Sequence, residues 1–225
     1  MKASAYSLNY SNLLLAAREW VTALFKEHHQ PYLHYHNLQH TKQVVSRSLA
    51  IAQHYDLNEF ECAVLEIAAW FHDTGHLFGP TLGHEEVGVA RVVEFLKAFP
   101  TIPFPPDLVS ACILSTKMTR HPCSFLEAVI RDADTYHLGT PYFIITDSLL
   151  KREIEERTGA TPADWEGKAM ELLRTHYYHT FYCHSQLEAG KHSNYDKYAE
   201  NARSMSMCKS ITDPSSYLVA AGRAC

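Results

Sequence analysis

Four side chains, which come from three separate segments of this chain, have nitrogen and oxygen atoms of the kinds that together bind a metal ion. His40 comes first, the adjacent pair His72 and Asp73 follows, and Asp134 comes last. Together they offer imidazole nitrogen and carboxylate oxygen, a donor set that suits Mn, Fe, Co, Ni, Zn or Mg. Such a shell leaves positions open for water, and hydrolytic chemistry requires an open position.

The composition is that of an ordinary globular protein. The chain has 225 residues, of which 46% are hydrophobic and 20% are charged, so it can bury a sizeable core. The formal charge of −5 and the lack of a run of Lys or Arg argue against a nucleic-acid partner. A strongly anionic substrate would therefore need the metal and a few local basic residues.

The cysteines and the apolar segments indicate where the protein works. The six cysteines show no CxxC spacing, which is typical of free thiols in a reducing compartment. The N-terminus lacks an apolar core of signal-peptide length, and no stretch approaches the ~18 consecutive apolar residues of a membrane span. We therefore expect a cytoplasmic protein without a membrane partner.

Helical periodicity runs through the chain, and strand-like alternation is almost absent. Asn37 is suited to cap a helix that carries His40. Asn58 followed by Glu61 matches a capping box at the start of the next helix. That helix is predicted to end at the break before Gly75, directly after the His–Asp pair.

The second half of the chain has the same helical character. Ser124 and Glu127 form a second capping-box match, ahead of the short apolar helix that ends near Asp134. Helices are also predicted over about 161–181 and 186–204. Together with the first half, these patterns predict an all-α protein.

Three segments resemble the HD-domain superfamily of metal-dependent phosphohydrolases. They are YHNLQH at 35–40, AAWFHDTGH at 68–76 and RDAD at 131–134. The chain is similar in particular to compact bacterial proteins described as predicted HD phosphohydrolases. This resemblance implies a single HD-domain-like helical bundle with a helical C-terminal extension. We expect that domain over 1–207, with its core at about 32–150, and a flexible tail at 208–225.

The resemblance also implies a ligand set and a reaction. It makes His40, His72, Asp73 and Asp134 the ligands of a divalent ion (Mn, Co, Ni, Zn, Fe or Mg), one or two per chain. A metal-activated water, held in part by Asp73, would hydrolyse a small-molecule phosphate ester, nucleotides included. His36 resembles the general acid of related phosphodiesterases, and a helix extending back to it would place His36 and His40 on one face.

Three further histidines bear on the number of metal ions. His76 lies three residues after Asp73, where several related enzymes have a glutamate that orients the attacking water; here an imidazole would act as a base or a phosphate contact. His84 opens a His-x-x-x-Gly element that supplies a second-metal ligand in binuclear relatives. His121 is the one further histidine before the RDAD segment, in a setting typical of a turn. We expect one tightly held ion and leave open a weaker second site that Asp73 would bridge.

The sequence determines the substrate contacts and the function class less closely than it determines the metal ligands. Lys117 and Arg120 follow an apolar helix and are candidate phosphate-binding residues. Two alternatives to hydrolysis remain: a di-iron oxygenase of the HD type, and a non-catalytic metal-containing sensor or interaction module. The sequence also leaves open a homo-oligomer.

Overall fold

The computed structural model describes residues 3–79, 81–100 and 104–212, with side chains at 10–79, 81–100 and 104–200. Within these ranges the chain has helices and no strand, which confirms the all-α prediction. The α-helices are α1 (Ala3–Glu27), α2 (Leu38–His54), α3 (Glu59–Phe71), α4 (His84–Lys97), α5 (Pro106–Ser115), α6 (Phe125–Asp134), α7 (Phe143–Thr158), α8 (Trp165–Thr175) and α9 (Phe181–Thr212). Two short 3₁₀ helices span Thr74–Leu77 and Thr135–Gly139. No helix in the described ranges is long and apolar enough to cross a membrane.

Helix α3 is the centre of the main core. Every residue from Ala63 to Phe71 except Glu66 is buried, so this helix is apolar around its whole circumference. A helix of that kind must be enclosed by others, and α3 packs against α1, α2, α4, α5 and α6. The chain leaves α3 at His72, so the His–Asp pair emerges from the middle of the bundle.

The predicted cap of α2 is confirmed. The Asn37 side chain accepts hydrogen bonds from the backbone N–H groups of Gln39 at 2.9 Å and His40 at 3.1 Å. These bonds begin the helix at Leu38 and place His40 in its first turn. His36 therefore lies before the helix, and the suggestion that it shares a helical face with His40 is wrong.

The two predicted capping boxes have different outcomes. At the start of α3, Asn58 and Glu61 bond each other's backbone N–H groups, which confirms the box. At the start of α6, Ser124 Oγ accepts from the Glu127 N–H at 3.3 Å. The Glu127 carboxylate instead accepts from the backbone of Cys123 at 3.1 Å. The second site is therefore a single cap.

The helix predicted over about 161–181 is shorter in the structure, where α8 spans Trp165–Thr175 and α9 begins at Phe181. Helix α8 begins only at Trp165, since Asp164 has a left-handed backbone with φ of +50°. After Thr175 the chain leaves the helix, because the N–H groups of His179 and Thr180 bond the carboxylate of the buried Asp132.

Helix α9 forms the C-terminal extension and packs against α8 and the 3₁₀ helix Thr135–Gly139. It continues to Thr212, beyond the predicted end at 204. Residues 208–212 of the predicted flexible tail therefore belong to α9, and 213–225 lie outside the described residues.

Two glycines allow α4 to approach the end of α3 closely. A Cβ atom on Gly75 would overlap the carbonyl oxygen of His84, and one on Gly88 would lie 2.8 Å from the carbonyl oxygen of Phe71. The absence of these side chains brings His84 close to the His–Asp pair.

We predict that Gly75→Ala lowers the free energy of unfolding by about 1–3 kcal/mol, because the added methyl group must displace the start of α4. Gly79→Ala is the matched control, since a Cβ at Gly79 meets no atom within 4 Å. Denaturant unfolding measures both. Equal stability of the two variants would contradict the close approach.

Candidate metal centre

The four predicted ligands meet at one point, although they come from three helices. His40 Nε2 lies 3.2 Å from Asp73 Oδ2 and 3.2 Å from Asp134 Oδ1. His72 Nε2 lies 3.1 Å from Asp73 Oδ2 and 3.7 Å from Asp134 Oδ1. The start of α2, the end of α3 and the end of α6 thus present two nitrogens and two oxygens to the same small volume.

The converging atoms have no other partners. His40 Nε2, His72 Nε2 and Asp73 Oδ2 are buried and make no hydrogen bond, despite their short separations. A buried polar atom without a partner costs about 1–3 kcal/mol, and one partner bound between these three atoms would remove that cost for all of them. A cation satisfies all of them at once, and the nitrogen and oxygen donors fit a divalent metal ion.

The surroundings prepare these ligands for a cation. His72 Nδ1 lies 2.8 Å from the carbonyl oxygen of Ala69, to which the neutral ring donates its proton, so its Nε2 lone pair faces inward. Burial opposes the ionised form of Asp73, but His72 and His40 outweigh it and hold the pKa of that carboxyl well below its usual range. Burial likewise opposes protonation of His40, yet Asp134 and Asp73 raise its pKa to about 9. The carboxylates therefore favour positive charge at this point.

A second group of side chains faces the other oxygen of Asp73. Its Oδ1 lies 3.7 Å from His84 Nε2 and 3.9 Å from His76 Nε2. His36, His76 and Asp73 have donor atoms within 4.8 Å of one another. The ring of His76 stacks between those of His36 and His84, with centroid separations of 4.0 Å and 3.8 Å. The structure thus places the three predicted histidines in one stack beside the four-ligand cluster.

Two residues of α7 hold this stack, and the sequence analysis missed both. Glu153 is 1% exposed and accepts hydrogen bonds from the backbone of Tyr35 at 2.9 Å, the backbone of His36 at 3.0 Å and His36 Nδ1 at 2.6 Å. Burial raises the pKa of Glu153, but His36 outweighs it and lowers that pKa below its ordinary value. Arg157 donates to His76 Nδ1 at 3.0 Å. A Glu and an Arg four residues apart are common on solvent-exposed helices, so their spacing in the sequence does not indicate a buried pair that contacts the site.

A cleft of about 190 Å³ is lined by two of the four clustered side chains, Asp73 and Asp134. Asp134 is the most accessible of the four, since 21% of its side chain is exposed. No Lys or Arg is among the described residues that line the cleft. The lining residues are Tyr35, His36, Asp73, His84, Glu85, Thr116, Met118, Asp134, Thr135, His137, Leu138, Leu150 and Leu172.

The predicted phosphate-binding residues lie outside this lining. Lys117 Nζ is 2.5 Å from Glu86 Oε1, in an ion pair near the start of α4. Arg120 follows in the same loop and is partly exposed. Their role in substrate binding stays a prediction. His121 is exposed and belongs to neither of the two histidine and carboxylate clusters.

The two aspartates of the RDAD segment have different tasks. Asp134 faces the metal cluster, whereas Asp132 accepts bonds from the His179 backbone at 2.9 Å and from the backbone and hydroxyl of Thr180, each at 2.7 Å.

We predict that Asp134→Asn lowers metal affinity by more than the roughly 10–100-fold typical of an outer-shell partner. Asp132→Asn should keep metal but lose about 1–3 kcal/mol of unfolding free energy.

Elemental analysis and denaturant unfolding of both variants separate the two tasks. Loss of metal in Asp132→Asn with full retention in Asp134→Asn would contradict this assignment.

Comparison with known proteins agrees with this geometry. Residues 37–139 match the HD domain family model, a range that includes His40, the His–Asp pair and Asp134. Searches of curated proteins and of solved structures each found no significant match. HD domains bind divalent metals and belong to a superfamily of metal-dependent phosphohydrolases. The match over residues 37–139 is consistent with membership of the HD-domain superfamily.

Proposed function

We propose that this chain hydrolyses small-molecule phosphate esters, nucleotides included, in a metal-dependent reaction. The observation that carries the proposal is the convergence of buried, unpaired donor atoms of His40, His72 and Asp73 beside Asp134, with Asp73 and Asp134 lining an open cleft. The HD domain over 37–139 supports the same reaction class.

The four clustered side chains would hold one divalent ion. That ion, when bound, supplies Lewis-acid stabilisation of phosphoryl oxygens and lowers the pKa of a bound water. The protein holds part of this arrangement before binding, because Ala69 orients the His72 ring and the Asn37 cap fixes the backbone at His40. Little reorganisation is then needed when the ion arrives.

His36 is proposed to protonate the leaving oxygen of the substrate. Its ring lines the cleft, and its Nδ1 contacts the buried Glu153 at 2.6 Å. This carboxylate contacts Nδ1 and orients the ring, as expected of a histidine that takes part in proton transfer. His36 and Glu153 are then the acid and its orienting group.

The cleft also restricts the substrate. Its lining includes the apolar side chains of Met118, Leu138, Leu150 and Leu172, and Glu85 adds a carboxylate. Phosphate esters with few negative charges and a compact apolar portion fit this surface better than polyphosphates, because no described lining residue is a cation.

A di-iron oxygenase remains the second candidate. The observation in its favour is that Asp73 Oδ1 faces a second set of donors, with His84 Nε2 at 3.7 Å. Iron near two equivalents per chain, together with oxygen consumption, would favour this activity over hydrolysis. Metal without turnover across a broad phosphoester panel would favour the non-catalytic sensor.

We also propose a cytoplasmic location, on the cysteine chemistry. Cys62, Cys112, Cys123 and Cys183 are free thiols, as expected in a reducing compartment.

The acid role of His36 predicts a dependence on the leaving group. His36→Asn should retain metal, because His36 is not one of the four ligands, and should lower kcat on alkyl phosphate esters by about 10²–10⁴-fold. The loss should be much smaller for nitrophenyl esters, whose leaving group needs no proton. Steady-state kinetics with Mn²⁺, Co²⁺, Ni²⁺ or Zn²⁺ measure both.

His121→Asn is the matched control, since His121 is exposed in a loop away from both clusters. An equal loss on both ester classes in His36→Asn would rule out its role as general acid. Absence of turnover in the wild type on every phosphoester tested would reject the hydrolase itself.

A further inference from the structure

We propose that Arg157 is a positioning residue that fixes His76 with its proton on Nε2. His76 then faces the metal centre as a hydrogen-bond donor and does not ligate a second ion. The inference rests on the proposed metal centre for its consequence, but the position of the proton on His76 stands without it.

The direction of one hydrogen bond carries the argument. Arg157 Nη1 lies 3.0 Å from His76 Nδ1. A guanidinium group has five N–H donors and no acceptor, so Nδ1 must accept the bond. A neutral imidazole has one proton, which must then be on Nε2. That atom is buried without a hydrogen-bond partner and lies 3.9 Å from Asp73 Oδ1.

The neighbours of His76 in the stack have the opposite arrangement. His36 Nδ1 lies 2.6 Å from Glu153 Oε1, and His84 Nδ1 lies 2.7 Å from the carbonyl oxygen of Thr81. Each of these partners is an acceptor, so the neutral rings of His36 and His84 have their proton on Nδ1 and a lone pair on Nε2. In this stack the Nε2 atom of the central ring, His76, has a proton, whereas the Nε2 atoms of His36 and His84 have a lone pair.

Arg157 is held firmly enough to impose this choice. Its side chain is only 8% exposed, and it also contacts the carbonyl oxygen of Gly79 at 2.9 Å, Glu153 Oε1 at 3.3 Å and the ring of Tyr32 at 5.4 Å. Turning the guanidinium away from His76 would break these contacts. Arg157 lies in α7, outside residues 37–139. The hydrogen bond to His76 is therefore made by a helix that the HD domain model does not cover.

The consequence is a limit on the number of tightly held ions. A metal ligand must offer a lone pair, and Nε2 of His76 has a proton instead. A second ion beside Asp73 Oδ1 could use His84 and His36 but not His76. The wild type is therefore expected to bind one ion tightly and a second one weakly.

The test is nitrogen-15 NMR of protein labelled at histidine, which reports which ring nitrogen has the proton. His76 signals are assigned by their loss in His76→Asn. Spectra are recorded without metal and with stepwise Zn²⁺ for the wild type, Arg157→Lys and Arg157→Gln. Lysine can only donate, whereas the glutamine amide oxygen can accept a proton from Nδ1. Arg152→Gln is the matched control, because Arg152 pairs with Glu156 on the exposed face of the same helix.

We expect the Nε2–H form in the wild type, Arg157→Lys and Arg152→Gln, and the Nδ1–H form to appear in Arg157→Gln. The second Zn²⁺ should bind Arg157→Gln about 10–100-fold more tightly than the wild type, the range typical of outer-shell changes. Wild-type His76 with its proton on Nδ1, or its Nε2 shifted by Zn²⁺ binding, would overturn the inference. If Arg157→Gln does not fold, the wild-type and Arg157→Lys spectra decide.

A different outcome would reject the proposed function alone. Failure of Zn²⁺ to shift the Nε2 signals of His40 and His72 would remove the metal centre, while the metal-free spectrum would still decide the proton position on His76.

Discussion

The burial of a His–Asp pair at the end of the most apolar helix is the constraint on which the rest of the structure depends. Helix α3 must be enclosed on all sides, and that enclosure takes His72 and Asp73 out of water as well. Their polar atoms then need partners inside the bundle. His40 and Asp134, from α2 and α6, face the same point, where His40 Nε2, His72 Nε2 and Asp73 Oδ2 make no hydrogen bond. A cation held at this point would supply the missing interactions, and this links the fold to the proposed chemistry.

Support for the site extends beyond the family-matched residues. Glu153 and Arg157 of α7 contact the backbone before α2, the ring of His36 and the ring of His76. On the other side, Arg131 of α6 donates to the carbonyl oxygens of Ser115 at 2.7 Å and Met118 at 3.1 Å, which holds the loop that lines the cleft. The candidate metal ligands thus lie within the family-matched residues 37–139, whereas the histidine stack is contacted by a helix that follows them.

Much of this could be predicted from the sequence, because local chemistry determines it. The cap at Asn37 and the capping box at Asn58 depend on neighbours within three residues, and both are confirmed. The convergence of His40, the His–Asp pair and Asp134 followed from a recognisable set of spaced residues. The sequence indicates Gly75 only as a helix break. In the structure, its main effect is that the lack of a Cβ atom lets His84 approach the His–Asp pair.

The missed features depend on contacts between distant segments. Glu153 meets His36 across 117 residues, and Arg157 meets His76 across 81. On the same helix, Arg152 and Glu156 have the same spacing and residue types but remain largely exposed. Helical periodicity distinguishes such pairs only when the buried face is known. The end of α8 at Thr175 was missed for a related reason, because a distant carboxylate, Asp132, holds the segment that follows α8.

The most direct test of the metal centre is anomalous diffraction from crystals of the wild-type protein soaked in Mn²⁺ or Zn²⁺. The account predicts one strong peak at about 2.0–2.3 Å from His40 Nε2, His72 Nε2, Asp73 Oδ2 and an oxygen of Asp134. A fully soaked crystal with no peak at that point, or with its strongest peak at histidines elsewhere in the chain, would contradict the account.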